Sequence, residues 1–421
     1  MFKIKKLLII LTILNLLIIN FNFVYADDVT NIENYEISQE IEAINVSADL
    51  NKEPTLNSRA AIVYDRTTKD IIFGKNENER KPMASTTKIM TAIVVLENCN
   101  LEDTVTVSKK AAGTGGSRLG LKPNDKITVQ DLLYGLLMVS GNDAAVTLAE
   151  YTAENVTNFA NLMNKKAKEL NLENTHFVTP HGLDQQEHYT TAYELAKLTD
   201  YALENHMFAK IVNTKNYLVA INNNTKKLSN TNELLGNLNG VNGVKTGFTN
   251  GANRCLVTSV NRNNMNIITV VLGADTKKLR TLDSVKLIEY AYSNYKNYKI
   301  TDLVNSKYLE WKNNYEKEIV VNKGITKNIE TKLSNINKEY ITIKNGKEDN
   351  IYVQINTLNY LEAPVEKDKI IGKIRVFVDN EEKVNIDIVN NTYIKKMNIL
   401  DYYIKLFYDN FKNICKNNSY Q

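Results

Sequence analysis

Three short runs in this 421-residue chain have the residue types and spacing that acyl transfer by a serine requires: Ser85-Thr86-Thr87-Lys88, Ser140-Gly141-Asn142 and Lys245-Thr246-Gly247. A serine hydroxyl is a weak nucleophile near neutral pH and needs a base within hydrogen-bonding reach. Residues three apart on a helix share a face, so Lys88 can meet Ser85. To act as a neutral base near pH 7, a lysine with an ordinary pKa near ~10.4 must be depressed by about 3 units, or roughly 4 kcal/mol. Burial and a second cation supply such a depression. Lys245 is the candidate cation, which requires the first and third motifs to converge. Ser140 can relay a proton between Lys88 and the leaving group, and Asn142 can orient Lys88 and bind a substrate amide. Lys245 and Thr246 on a strand edge can hold a carboxylate, while the small Gly247 lets a substrate backbone lie against that edge. The backbone N–H groups of Ser85, at a helix start, and of Phe248 are placed to form an oxyanion hole.

Each motif alone is cheap. Ser293-Asn294-Tyr295-Lys296 and Ser259-Val260-Asn261 repeat the first two patterns, so order and surroundings must decide. Around the first motif, Ala60 to Tyr64 and Ile71 to Phe73 flank a polar turn and predict a β-hairpin, and Pro82 precedes a helical pattern with Ser85 in its first turn. Apolar positions at helical spacing over residues 129–151 are interrupted by Ser140-Gly141-Asn142, which predicts two helices joined by a corner. Further helices are expected over 156–170, 192–204 and 277–292. Between the last two lie an Asn-rich hairpin around Asn222, the segment 244–248, and two apolar runs, 255–260 and 267–272, joined at Asn261-Arg262-Asn263-Asn264. Strands at both ends of this region enclose a helical block. The class implied is α/β (α+β), an antiparallel sheet with helices and an inserted helical region.

Beyond residue 298 the pattern changes to short strands at 319–321, 341–343, 351–355, 374–378 and 384–388, a small all-β domain. Over 392–416 Leu400, Ile404, Phe407, Phe411 and Ile414 return to one helical face, with lysines mostly elsewhere. A basic amphipathic helix of this kind can lie in a membrane interface or pack on the β domain, and the first is the expectation. The division expected is a signal peptide (1–26), an acidic lead-in (27–56), a catalytic domain (57–298), a β-rich domain (299–391) and a membrane-anchoring helix (392–421).

Compartment is read from the start of the chain. Lys3, Lys5 and Lys6 precede an apolar run over 7–19, and Val24-Tyr25-Ala26 supplies the small residues of a signal-peptidase site. The run is shorter than the roughly 20 residues that span a bilayer, which favours cleavage after Ala26. A net charge of +4 over 52 basic and 48 acidic residues leaves no nucleic-acid footprint. Cys99, Cys255 and Cys415 are far apart and odd in number, so they read as free thiols. His176, His181 and His188 lack ligand spacing and read as structural or loop histidines; neither metal nor cofactor is expected.

The surroundings of the motifs carry a resemblance. The stretches Ala84 to Ala92, Gly115 to Leu121, Leu132 to Leu137, Ser140 to Ala145, Thr175-His176-Phe177, Pro180 to Asp184 and Gly243 to Thr249 resemble those of the D-alanyl-D-alanine carboxypeptidases, the low-molecular-mass penicillin-binding proteins. The likeness runs over about 59–292. It implies the serine β-lactamase/DD-peptidase-like fold, Ser85 as acyl-enzyme nucleophile, Lys88 as base, Ser140, Asn142 and Lys245 in the roles above, and a downstream arginine, Arg280, binding the substrate's terminal carboxylate. It also implies peptidoglycan stem pentapeptides as substrate, β-lactams as covalent inhibitors, a β-rich second domain and a C-terminal amphipathic anchor on the outer face of the cytoplasmic membrane. The decoys at Ser293 and Ser259 have no such surroundings. A β-lactamase is the nearest rival, but Ser140-Gly141-Asn142 replaces Ser-Asp-Asn, and Ala167 stands where the deacylating Glu before Leu170-Asn171 would be. A penicillin-binding sensor or scaffold that acylates slowly is the rival from outside catalysis.

Overall fold

The structure is a computed structural model that describes residues 52–417. The expected signal peptide and nearly all of the acidic lead-in lie outside the described residues. The chain divides into two compact units, with the boundary at Asn294/Tyr295.

In the first unit, β1 (Ala60–Asp65) and β2 (Ile71–Lys75) form the expected hairpin. Small strands β3 (Thr104–Thr106) and β4 (Lys126–Thr128) pair with each other, as do β5 (Asn216–Ile221) and β6 (Asn224–Ser229). The principal sheet adds β7 (Val241–Thr249), β8 (Asn253–Arg262) and β9 (Met265–Ala274) in the order β2-β1-β9-β8-β7, antiparallel throughout. All six residues of β1 are buried, so both faces of the sheet are covered. The covering helices are α1 (Lys88–Asn98), α2 (Val129–Met138), α3 (Asn142–Ala153), α4 (Val156–Glu169), α5 (Ala192–Glu204), α6 (His206–Val212) and α7 (Lys277–Asn294). Thr128, Asn155 and Thr191 cap α2, α4 and α5 through their side-chain oxygens. One apolar core joins the inner faces of α1, α2 and α3 to β1, β8 and β9, with Ile89, Ile93, Leu132, Leu136, Leu148 and Val270 among its buried members.

The second unit is built on the sheet β12-β17-β16-β14, from β12 (Thr331–Leu333), β14 (Ile351–Thr357), β16 (Ile370–Val378) and β17 (Glu381–Asn390). Two pairs accompany it: β10 (Tyr295–Lys299) with β13 (Tyr340–Lys344), and β11 (Val320–Asn322) with β15 (Tyr360–Glu362). It also contains a helix that the strand pattern did not announce, α8 (Thr301–Tyr315). Val304, Tyr308 and Trp311, at helical spacing, are its buried residues and join the core of this unit.

The C-terminal helix α9 spans Ile399–Asn417, later than the expected start at 392. Ile394 exchanges backbone hydrogen bonds with Val365, and Met397 donates to the Lys323 carbonyl, so this stretch is held by isolated bridges to the second unit's own backbone. Leu400, Ile404, Phe407 and Phe411 are 60–76% exposed. No helix among the described residues is long and apolar enough to cross a membrane.

Candidate active site

Ser85 lies in a single 3₁₀ turn, Ala84–Thr87, that feeds directly into α1, so Lys88 is the first residue of the α-helix rather than a member of its second turn. Side chains three apart nearly eclipse in a 3₁₀ turn. Lys88 Nζ accordingly lies 2.9 Å from Ser85 Oγ. The lysine is fully buried and also donates to Asn142 Oδ1 at 2.7 Å and to the His181 carbonyl at 2.8 Å. The turn is held internally: the Thr86 hydroxyl donates to the Met83 carbonyl and the Thr87 hydroxyl to the Ala84 carbonyl.

The corner between α2 and α3 carries the second motif. Ser140 has a left-handed backbone (φ 61°) and is buried; Gly141 N donates to the Gly135 carbonyl and Asn142 N to the Ser117 carbonyl. The Asn142 amide is oriented by opposite partners, since Oδ1 accepts from Lys88 and Nδ2 donates to the Gly115 carbonyl at 2.7 Å. One acceptor site holds Lys88 and one N–H fixes the amide to Gly115, which leaves the second N–H for a substrate. The sequence does not mark the neighbouring Asp143 as a site residue, yet its buried carboxylate accepts from Leu119 N, Gly120 N, Leu121 N and Ala144 N. It fixes the loop that borders the corner.

The third motif stands on β7, an edge strand of the principal sheet, with Lys245 opposite Val257 and Gly247 opposite Cys255. A Cβ at Gly247 would lie 3.0 Å from Ser85 N and 3.2 Å from Thr86 N. β7 therefore passes in van der Waals contact with the turn that carries Ser85, and any side chain there would obstruct it. Lys245 is buried and donates to the Thr246 carbonyl at 2.8 Å. The Thr246 hydroxyl pairs at 2.9 Å with that of Thr231, whose N–H reaches the Met138 carbonyl at the end of α2. Phe248, half-buried, has the Arg254 guanidinium 3.8 Å from its ring centre.

A fourth wall was legible only as a stretch of the resemblance. Gly182 has φ 85°, and a Cβ there would sit 1.9 Å from the Ala84 carbonyl oxygen, so the loop 180–184 closes tightly over the 3₁₀ turn. Asp184 ties that loop to the end of β7, accepting from the Thr249 hydroxyl at 2.6 Å and from Gly251 N at 2.9 Å. The histidines belong to this wall. His188 Nδ1 accepts from Val178 N at 2.9 Å, which leaves the proton on Nε2 to be donated to the Thr87 hydroxyl at 2.7 Å. Burial first, then the nearby positive charges, push the pKa of His188 down to about 4 and, with Lys88 adjacent, that of His181 down to about 3. Both are neutral near pH 7. Cys255 is buried in β8 and Cys99 is half-buried.

Arg280 has a partner within the chain. It sits on α7 and is buried, with Nη2 donating to Glu233 Oε1 at 2.8 Å. Beside Thr231 a cavity of about 340 Å³ is lined by Asn232, Glu233 and Lys277, among others, but not by Arg280. Glu233 was invisible in the sequence, since nothing marks a glutamate 47 residues away as the partner of an arginine.

A serine, a buried lysine and an oriented amide on three different elements, beside an edge strand that presents Lys-Thr-Gly, are the arrangement of a serine peptidase. The chain belongs to the D-alanyl-D-alanine carboxypeptidase family, whose model matches residues 47–276, and residues 311–396 match the C-terminal domain of penicillin-binding protein 5. It is 33% identical to the D-alanyl-D-alanine carboxypeptidase DacF of Bacillus subtilis over 82% of this chain and 88% of that protein. With DacA of Haemophilus influenzae the identity is 32%, over 80% and 86%. Among solved structures, penicillin-binding protein 5 of Haemophilus influenzae superposes with a TM-score of 0.69 at 29% identity, covering 82% of this chain and 99% of that one. The DD-transpeptidase of Streptomyces K15 gives 0.55 at 34% identity, over 57% and 99%.

Proposed function

We propose that the protein removes the terminal D-Ala of peptidoglycan stem pentapeptides through an acyl-enzyme on Ser85. Ser85 Oγ attacks the carbonyl carbon of the penultimate D-Ala while its proton passes to Lys88, which acts as the neutral amine. The oxyanion is held by the N–H groups of Ser85 and Phe248. When the C–N bond breaks, the departing D-Ala amine takes a proton relayed through Ser140. Water then hydrolyses the ester and regenerates Ser85. Lys245, Thr246 and Gly247 line the substrate's path, and Arg280 contributes to the carboxylate end. A β-lactam enters the same first step, but its leaving group stays tethered after ring opening, so the acyl-enzyme persists and the enzyme is inhibited.

The observation that carries this reading is the placement of Lys88 Nζ 2.9 Å from Ser85 Oγ and 2.7 Å from Asn142 Oδ1, with β7 against the same turn. The test is release of D-Ala from diacetyl-Lys-D-Ala-D-Ala, with fluorescent penicillin as active-site label. Wild type releases D-Ala and takes the label, and Ser85→Ala does neither. Labelling without release would favour a sensor; label lost within seconds would favour a β-lactamase.

The same reading makes residues 57–298 the catalytic domain and 299–391 a β-rich domain, in a protein secreted by the 1–26 signal. Residues 392–421 would attach it to the outer face of the cytoplasmic membrane. Support for attachment comes from α9, whose Leu400, Ile404, Phe407 and Phe411 lie open on one face.

A further inference from the structure

In the ion cluster beside the third motif, the reaction as written uses Arg280 but gives no role to Glu233. The side chains of Glu233 and Arg280 are 3% and 1% exposed. Glu233 Oε1 accepts from Arg280 Nη2 at 2.8 Å and from the Thr281 hydroxyl, and Oε2 lies 3.2 Å from Lys277 Nζ. A carboxylate held by a guanidinium, an ammonium and a hydroxyl is the arrangement that an anionic ligand would adopt on these groups. Here the chain supplies the carboxylate itself.

The location gives this a consequence. Glu233 is two residues from Thr231, whose hydroxyl pairs with that of Thr246 in the middle of the Lys-Thr-Gly strand. The cavity at this place is lined by Thr231, Glu233 and Lys277, whereas Arg280 does not reach its wall. A ligand in this cavity meets the Glu233 carboxylate before the guanidinium. Arg280 Nε and Nη1 are buried and have no hydrogen-bond partner among the described residues. A second carboxylate would gain those N–H groups, but against the repulsion of Glu233 and at the cost of disturbing a buried, hydrogen-bonded pair.

We propose that Glu233 is a specificity-determining residue: by occupying Arg280 in an internal ion pair, it weakens the enzyme's preference for acyl donors that end in a free carboxylate over donors whose C-terminus is blocked. The inference rests on the carboxypeptidase reading of the same site. Its substrate class is D-Ala-D-Ala peptides with a masked terminus, such as an amide, alongside the free acid.

The experiment compares kcat/KM for diacetyl-Lys-D-Ala-D-Ala and for its C-terminal amide in the full-length protein, measuring released D-alanine and D-alaninamide. Glu233→Gln keeps an acceptor for Arg280 and Thr281 while removing the charge, and Glu233→Ala is measured beside it should the glutamine present its NH₂ to Arg280. Freed of its internal anion, Arg280 is expected to raise the acid-to-amide ratio by about tenfold, equivalent to about 1.4 kcal/mol, through a lower KM for the acid. Adding Arg280→Gln to Glu233→Gln should return the ratio to the wild-type value. A ratio unchanged within about twofold in both Glu233 variants, or a rise that survives loss of Arg280, overturns the proposal. Wild-type protein that takes a penicillin label but cleaves neither donor overturns the carboxypeptidase reading instead, so the two failures are distinct.

Discussion

His188 anchors the turn that carries Ser85, and its protonation should loosen that turn in a calculable way. The imidazole is 4% exposed, accepts from Val178 N through Nδ1 and donates to the Thr87 hydroxyl through Nε2. A proton on Nδ1 would face the Val178 N–H. Burial and neighbouring cations hold the folded pKa at about 4, below the ordinary value of 6.5. The sign follows from linkage: with the folded pKa depressed, the unfolded chain binds the proton first. The stability is therefore complete above about pH 6.5 and is lost as pH falls toward about 4. Between about pH 7 and pH 5 this one group should cost about 2 kcal/mol of stability. His188→Gln keeps a donor for Thr87 but cannot titrate. Urea unfolding of the first unit, followed by peptide-resolved labelling of the buried Cys255 thiol, should show wild type losing about 2 kcal/mol more than the variant over that interval. Parallel profiles, differing by less than about 0.5 kcal/mol, or an NMR titration placing His188 near its ordinary pKa, would refute the reasoning.

Other consequences are as direct. Gly182→Ala combines a strained φ of 85° with a methyl 1.9 Å from the Ala84 carbonyl oxygen, so the turn must move. Penicillin acylation should fall at least about tenfold, since small misplacements near reacting atoms cost that much or more; an unchanged rate would show that the loop yields instead. Asp143→Ala strips the acceptor from four backbone N–H groups and should destabilise the first unit by about 3 kcal/mol or more, measured as a fall in urea midpoint. Removing α9 should abolish co-sedimentation with anionic liposomes while leaving penicillin labelling intact, and equal sedimentation of both forms would place attachment elsewhere.

Much of the site could be read in advance because its parts are local. Ser85 and Lys88 are three residues apart, Gly141 and Asn142 form one corner, and the Lys-Thr-Gly run interrupts an apolar strand. What escaped depended on distant partners. The 3₁₀ turn of Ser85 is held by its own threonines and, about a hundred residues on, by Gly182 against the Ala84 carbonyl and by the Thr87–His188 bond. The helix α8 buries Val304, Tyr308 and Trp311, but Leu303 and the exposed Leu309 blur that stripe, which yields to the stronger alternation of the strands that follow. Arg280 lies on a helix that the periodicity predicts, but the carboxylate it meets, Glu233, comes from a distant segment that no local pattern marks. The C-terminal helix starts late because 394–397 pair with the second unit's own backbone, and such tertiary pairing overrides a continuous helical pattern.

The central claim is that Ser85, activated by Lys88, forms the acyl-enzyme in D-Ala release. It is tested most directly by intact-mass and peptide analysis of protein quenched during turnover of diacetyl-Lys-D-Ala-D-Ala. The account predicts one acyl group on the peptide containing Ser85, with D-Ala released in parallel and both absent in Ser85→Ala and Lys88→Met. Release of D-Ala by Ser85→Ala, or an adduct carried on another residue, would contradict it.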